Sequence, residues 1–144
     1  MLELNRDPSN PHSGNKMTTT ATTKDCVIIG GGPAGLTAAL YLARFMRSVT
    51  VIDAQDGRST LIPKTHNLGA FPSGISGPNL LALMRQTAAG YGAVLETGTV
   101  RAVQKLGEVF HVATDNKTET ARTIVFATGV FNHRPSLSDR KSVV

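Results

Sequence analysis

The 144-residue chain has no tryptophan, and its aromatic residues amount to 5%. Its one cysteine, Cys26, excludes an intramolecular disulfide and any Cys-x-x-Cys redox or zinc pair within these residues. No run of 18 apolar residues occurs, so no segment reads as a membrane-spanning helix. The four histidines, His12, His66, His111 and His133, are widely spaced and offer no clustered ligand set, which argues against a metal site. A Gly-x-Ser-x-Gly nucleophile elbow is missing, and so is a paired-carboxylate arrangement. Fifteen basic against ten acidic residues give a formal charge of +5. The basic residues are scattered singly, however, and Arg140-Lys141 is their only adjacent pair. No aromatic residues are interleaved with them as a stacking surface would need, so nucleic acid is not an expected partner.

What is present begins with a polar stretch. Residues 1–24 carry Pro8, Pro11 and the Thr-rich run from Thr18 to Thr23, with no secretory apolar core. They read as a disordered leader in which Met17 is an alternative start, and a cytoplasmic protein is the expectation. Cys26-Val27-Ile28-Ile29 then forms a short apolar run that stops at three glycines, the pattern of a buried strand entering a tight turn. Pro33 suits the first turn of a helix, where its missing N–H would be unpaired anyway. Leu36, Ala39, Leu40 and Ala43 fall at i, i+3, i+4 and i+7 and make one apolar helix face. A second strand, Val49 to Ile52, ends at Asp53. Strand, glycine turn, helix and strand make a βαβ unit and imply a parallel sheet.

From Ala54 to Ile75 the chain is irregular, with Gly57, Pro63, Gly69, Pro72 and Gly74. A loop of that length inside a small domain is usually functional or disordered. Ser76 is placed to cap a second helix with Pro78 in its first turn, and Leu80, Leu83, Met84, Thr87 and Tyr91 are expected to line its inner face. Val100–Lys105 and Val109–Thr114 bracket Leu106-Gly107 and read as a β-hairpin. Thr123 to Ala127 is a further apolar strand, ending in Thr128-Gly129. The domain is expected to span 25–135, and 136–144 carries no pattern.

The glycine turn carries the chemistry. In Gly30-x-Gly32-x-x-Gly35, Gly30 permits a sharp strand-to-helix turn and Gly35 lets the helix pack near the sheet. Gly32, without a side chain, lets the backbone approach a pyrophosphate, whose charge would sit at the helix's positive end. Such glycines alone are weak evidence. Here they follow a strand, open a helix and precede an acid, Asp53, by 23 positions from Gly30. Asp53 is placed to accept hydrogen bonds from ribose hydroxyls and would repel a 2′-phosphate, so FAD or NAD is expected before NADP. A P-loop is excluded, because no Gly-Lys-Ser/Thr follows. A dinucleotide is therefore the expected partner.

Gly30-Gly31-Gly32-Pro33-Ala34-Gly35-Leu36 resembles the FAD-binding opening of the pyridine nucleotide-disulfide oxidoreductases. Thr123-Ile124-Val125-Phe126-Ala127-Thr128-Gly129 is similar to that superfamily's second motif, a strand passing close to the flavin cofactor. His66-Asn67-Leu68-Gly69-Ala70-Phe71-Pro72, with Gly74-Ile75-Ser76-Gly77-Pro78 and Leu80-Leu81, is similar to the thioredoxin reductases and their relatives. Flavin monooxygenases share the glycines but match the stretch from His66 to Pro78 less well. The resemblance covers roughly Lys24 to Pro135. It implies an α/β, FAD/NAD(P)-binding, Rossmann-like parallel sheet with a β-hairpin insert.

The resemblance also implies roles. Gly30, Gly32, Pro33, Ala34 and Gly35 would lie against the pyrophosphate, and Asp53 would hold the adenosine ribose. Asn67 matches a position near the flavin ring, Val100 falls near the adenine, and Ala127, Thr128 and Gly129 would pass under the cofactor. The family's reaction takes hydride from NADPH to FAD and then reduces a disulfide. Its NADPH-binding domain and Cys-x-x-Cys pair have no counterpart in this sequence. Cys26 reads as a small core residue and no catalytic residue is assigned. The chain is thus expected to be the FAD-binding portion of such an oxidoreductase, cut short. The alternative is a non-catalytic nucleotide-binding module, and a homo-oligomer or a completing chain are the partners this leaves room for.

Overall fold

A computed structural model of the chain describes residues 22–130. Most of the expected leader and all of the expected tail lie outside that range. Strand β1 (Lys24–Ile29) enters the glycine turn, helix α1 (Pro33–Arg44) follows, and strand β2 (Val49–Asp53) returns beside β1. A single 3₁₀ turn (Arg58–Leu61) interrupts the next connection before helix α2 (Gly77–Gly90). Four strands complete the order: β3 (Val94–Thr97), β4 (Val100–Leu106), β5 (Val109–Thr114) and β6 (Thr118–Phe126).

All six strands join one sheet in the order β3-β2-β1-β6-β5-β4. β3, β2, β1 and β6 run parallel, with Ile28 opposite Val51 on one side and Val125 on the other. The expected β-hairpin insert is present as β4 and β5, between β3 and β6 in the chain, and it extends the same sheet. β6 starts five residues before the apolar segment and pairs in two ways. Its first part, Thr118 to Ala121, lies antiparallel to β5, and Thr123 to Phe126 lies parallel to β1. One continuous strand therefore joins the parallel half to the antiparallel half. The hairpin turn is Gly107-Glu108, one residue later than expected, because Leu106 pairs with Val109. Gly107 adopts φ +60°, a conformation a side chain disfavours.

The run Cys26–Ile29 is apolar throughout because both faces of β1 are covered. On one face Cys26 and Ile28 pack with Val49 and Val51 of β2, Ala39 and Ala43 of α1, and Ala88 of α2. On the other, Val27 and Ile29 pack with Ile52, Val112 of β5 and Ala121 of β6. Thr50 is buried there too, and its hydroxyl has no hydrogen-bond partner among the described residues.

Helix α1 buries Leu36, Ala39 and Ala43, as its periodicity requires. The inner face of α2 differs from the expectation by about one position. Gly77, Leu81 and Ala88 are buried, whereas Leu83 and Tyr91 are half exposed. One large and two small residues thus face inward, and the 3₁₀ turn approaches the start of the helix closely enough to require a small one. That residue is Gly77, since a Cβ there would overlap the Ser59 carbonyl.

Strand β3 follows α2 at the sheet edge and was not foreseen. The irregular stretch before α2 is tied down rather than free. Thr65 and Ile75 exchange backbone hydrogen bonds of 2.8 and 3.0 Å, and Ser76 caps α2 by accepting from the Asn79 N–H.

The two ends of the parallel strands differ. At the amino end of β1, Asp25 Oδ2 accepts hydrogen bonds from the Ser48 N–H at 2.9 Å and the Ser48 hydroxyl at 3.0 Å. Arg122 Nη1 lies 3.4 Å from Oδ1 of the same carboxylate. The carboxyl ends of β1 and β2 carry the glycine turn and Asp53.

Candidate functional site

The three fingerprint glycines do different work. Gly30 has φ +107°, and a Cβ there would run into the Ala127 carbonyl. That approach is fixed by the Ala127 N–H donating to the Ile29 carbonyl at 2.8 Å. At Gly35 a Cβ would overlap the Gly30 carbonyl, so this glycine sets the distance between α1 and the turn. Both are needed by the fold itself. Gly32 is not, because a Cβ built on it meets nothing within 4 Å and its φ of −75° suits any residue. Its bareness leaves space that the protein does not fill.

That space lies at the amino end of α1. No side chain caps the helix, and no acidic residue stands in its first turn. The first N–H groups of a helix lack intrahelical partners and carry partial positive charge, so the position suits an anion. Pro33 occupies the first helical position and Ala34 is exposed beside it, leaving the approach open.

Asp53 stands at the carboxyl end of β2, across from the turn. Its side chain lies over Gly31, where a Cβ would come within 2.7 Å of the Asp53 Cβ. Gly31 is thus required, although the fingerprint spacing does not count it. The Asp53 carboxylate pairs with Arg85 Nη2 from α2, and its Oδ1 accepts the Gln55 N–H at 3.2 Å. Gln55 Nε2 donates in turn to Thr97 Oγ1 at 2.7 Å. These residues border a slot of about 130 Å³ lined by Gly31, Asp53, Gln55, Arg85, Leu95 and Thr97. Arg85 lies 32 positions from Asp53, and nothing in the local sequence pattern signals it.

The structure brings together Gly30, Gly32, Pro33, Ala34 and Gly35 at the turn and sets Asp53 beside them. Ala127 and Thr128 abut Gly30, and Gly129 follows with φ +71°. Asn67 and Val100 are not among the residues lining the slot. Asn67 is exposed in the tied-down stretch, its Oδ1 accepting from Thr65 Oγ1 at 2.6 Å. Val100 starts β4 and packs on the core face that holds Ile29 and Ile52. Cys26 is 2% exposed, and burial pushes its thiol pKa up, away from the reactive thiolate. No cluster of three or more His, Cys, Asp or Glu suited to a metal occurs among the described residues. No helix there is long and apolar enough to cross a membrane.

A sheet with a parallel half, a bare glycine at an uncapped helix and a carboxylate at the end of the next strand make up the architecture of the Rossmann-like α/β class. Residues 24–143 match the family model for pyridine nucleotide-disulphide oxidoreductases, and the chain belongs to that family. It is 38% identical over 115 residues to a thioredoxin reductase of Mycolicibacterium smegmatis, covering 78% of this chain and 37% of that protein. Against the bifunctional thioredoxin reductase/thioredoxin of Mycobacterium leprae it is 37% identical, covering 75% and 24%. Among solved structures, a thioredoxin reductase from Gloeobacter violaceus superimposes with a TM-score of 0.74 at 34% identity, covering 80% of this chain and 37% of that one. The Streptococcus pyogenes thioredoxin reductase gives 0.76 at 30% identity, covering 82% and 39%. The chain therefore spans little more than a third of the length of these single-function relatives.

Proposed function

We propose that the chain is the FAD-binding portion of an NAD(P)H oxidoreductase of the thioredoxin-reductase type, and that its own residues grip the adenosine diphosphate half of the cofactor. The space in front of Gly32 carries this reading, because neither packing nor backbone conformation calls for a glycine there. The pyrophosphate would lie against Gly32, Pro33, Ala34 and Gly35, with its charge at the amino end of α1. Asp53 would accept from the ribose hydroxyls. Ala127, Thr128 and Gly129 would run beneath the cofactor, and Asn67 and Val100 are assigned to its flavin and adenine ends on resemblance alone.

Bound flavin would supply the redox chemistry, taking up reducing equivalents and passing them on. The chain's share is binding and orientation. The only thiol in these 144 residues is the buried Cys26, so an exchanging thiol pair would have to come from outside them. Visible absorption of the purified chain after addition of FAD and gel filtration tests the reading. A shifted, structured flavin band that co-elutes with the protein supports it. Full release of FAD by a folded chain refutes it and leaves a nucleotide-binding fold without its cofactor.

A further inference from the structure

Arg85 is the one basic side chain bordering the slot among the described residues. It sits in the middle of α2, and side chains of a helix lean toward its amino terminus. That lean carries the guanidinium up to the carboxyl end of β2, where Nη2 donates to Asp53 Oδ2. The two side chains are 31% and 16% exposed, so the pair is at the wall of the slot rather than out in solvent. Asp53 is held from the other side as well. Oδ1 accepts the Gln55 N–H, and Gln55, at φ +63°, is itself anchored through Thr97. Gly31 clears the space beneath, since any side chain there would collide with Asp53.

We propose that Arg85 is a positioning residue for the adenosine ribose. This rests on the dinucleotide reading above and adds to it a residue that no fingerprint contains. Each carboxylate oxygen can accept more than one hydrogen bond. With Arg85 on one oxygen and Gln55 on the other, the plane of the Asp53 carboxylate is fixed and its remaining lone pairs face the slot. A vicinal diol, such as the 2′- and 3′-hydroxyls of a ribose, matches two acceptors held in one plane. Arg85 remains paired when the nucleotide enters, and it acts through Asp53 rather than on the ligand's phosphates.

Calorimetric titration of the full chain with ADP and with 2′,3′-dideoxy-ADP separates this role from a structural one. Arg85→Gln is expected to weaken ADP about tenfold, the scale of one lost charge-assisted hydrogen bond, and to leave dideoxy-ADP nearly unchanged. Arg85→Lys should fall between wild type and Arg85→Gln, because an ammonium restores the charge but not the planar fork. In an Asp53→Asn background the effect of Arg85→Gln on ADP should shrink. An equal loss for both ligands would mean that Arg85 merely supports the fold, and tighter ADP binding would mean that it competes with the ribose. Either result overturns the proposal while sparing the dinucleotide reading. Failure of the folded wild-type chain to bind ADP at all overturns the reading and the proposal together. Should Arg85→Gln fail to fold, Arg85→Lys decides the matter alone.

Discussion

The two ends of the parallel strands meet the same problem, polar groups emerging from a buried sheet, and resolve it differently. At the amino end the protein supplies its own partners. Asp25 takes the Ser48 N–H and hydroxyl, and Arg122 stands nearby. At the carboxyl end α1 begins on a bare, uncapped glycine, and Asp53 faces a slot. The amino end also has a shallow hollow, of about 320 Å³ beside Asp25, Arg47 and Arg122, so empty volume does not separate the two ends. What sets the carboxyl end apart is an uncapped helix start beside a carboxylate. The glycines sharpen the contrast, because Gly30 and Gly35 are explained by backbone packing, whereas a Cβ at Gly32 would meet nothing within 4 Å.

Substitutions can break that comparison, beginning with the largest effect. Gly30→Val should abolish folding or cost more than about 4 kcal/mol, since it joins a forbidden φ to a clash with the Ala127 backbone. Denaturant unfolding of the purified variant, or its failure to accumulate as folded protein, would show this. Gly32→Val should change stability by no more than about 1 kcal/mol, the scale of an altered N-cap, and yet remove dinucleotide binding. Retained FAD affinity in a folded Gly32→Val chain would undo the assignment of the site.

Asp53→Ala comes next, with an expected loss of roughly 1–3 kcal/mol in FAD affinity from the ribose hydrogen bonds, read by titration. The smallest effect belongs to the amino end. The Ser48 N–H and then its hydroxyl hold the Asp25 carboxyl below its ordinary value near 3.8. A lowered pKa contributes stability that is fully present above the unfolded-state value and is lost as pH falls through the folded-state value. Melting temperature should therefore drop on acidification below about pH 4, and Asp25→Asn should flatten that slope without touching FAD affinity at neutral pH. Part of the slope should remain, because Arg101 lowers the pKa of Asp115 in the same direction.

How far the sequence was legible follows the same divide between local and distant causes. β1, the turn, α1 and β2 declare themselves because each signal lies within a few residues of the element it specifies. Cys26 as a core residue was equally legible from its neighbours Val27 to Ile29. β3 was missed because Val94–Thr97 is four residues long at a sheet edge, with no sustained alternation to read. The first part of β6, Thr118 to Ala121, is mostly polar, and its pairing with β5 across a short turn overrides that composition. The inner face of α2 was misjudged at Leu83 and Tyr91 because hydrophobicity reports how apolar a residue is, not how closely the neighbouring layer approaches. Arg85 and Gly31 escaped for a related reason. Their roles exist only where distant segments converge on Asp53.

The placement of β1 has a consequence for how the chain comes into being. Its two neighbours arrive at very different times. β2 is complete a few dozen residues after β1, whereas the partner on the other side, β6, begins to pair with it at Ala121, opposite Lys24. At the usual synthesis rate of about 5–20 residues per second, that separation is roughly 5–20 s of translation. For that interval a strand covered on both faces in the mature sheet has one backbone edge bare on the ribosome, so the nascent chain, more than the finished protein, is the species that would need a chaperone.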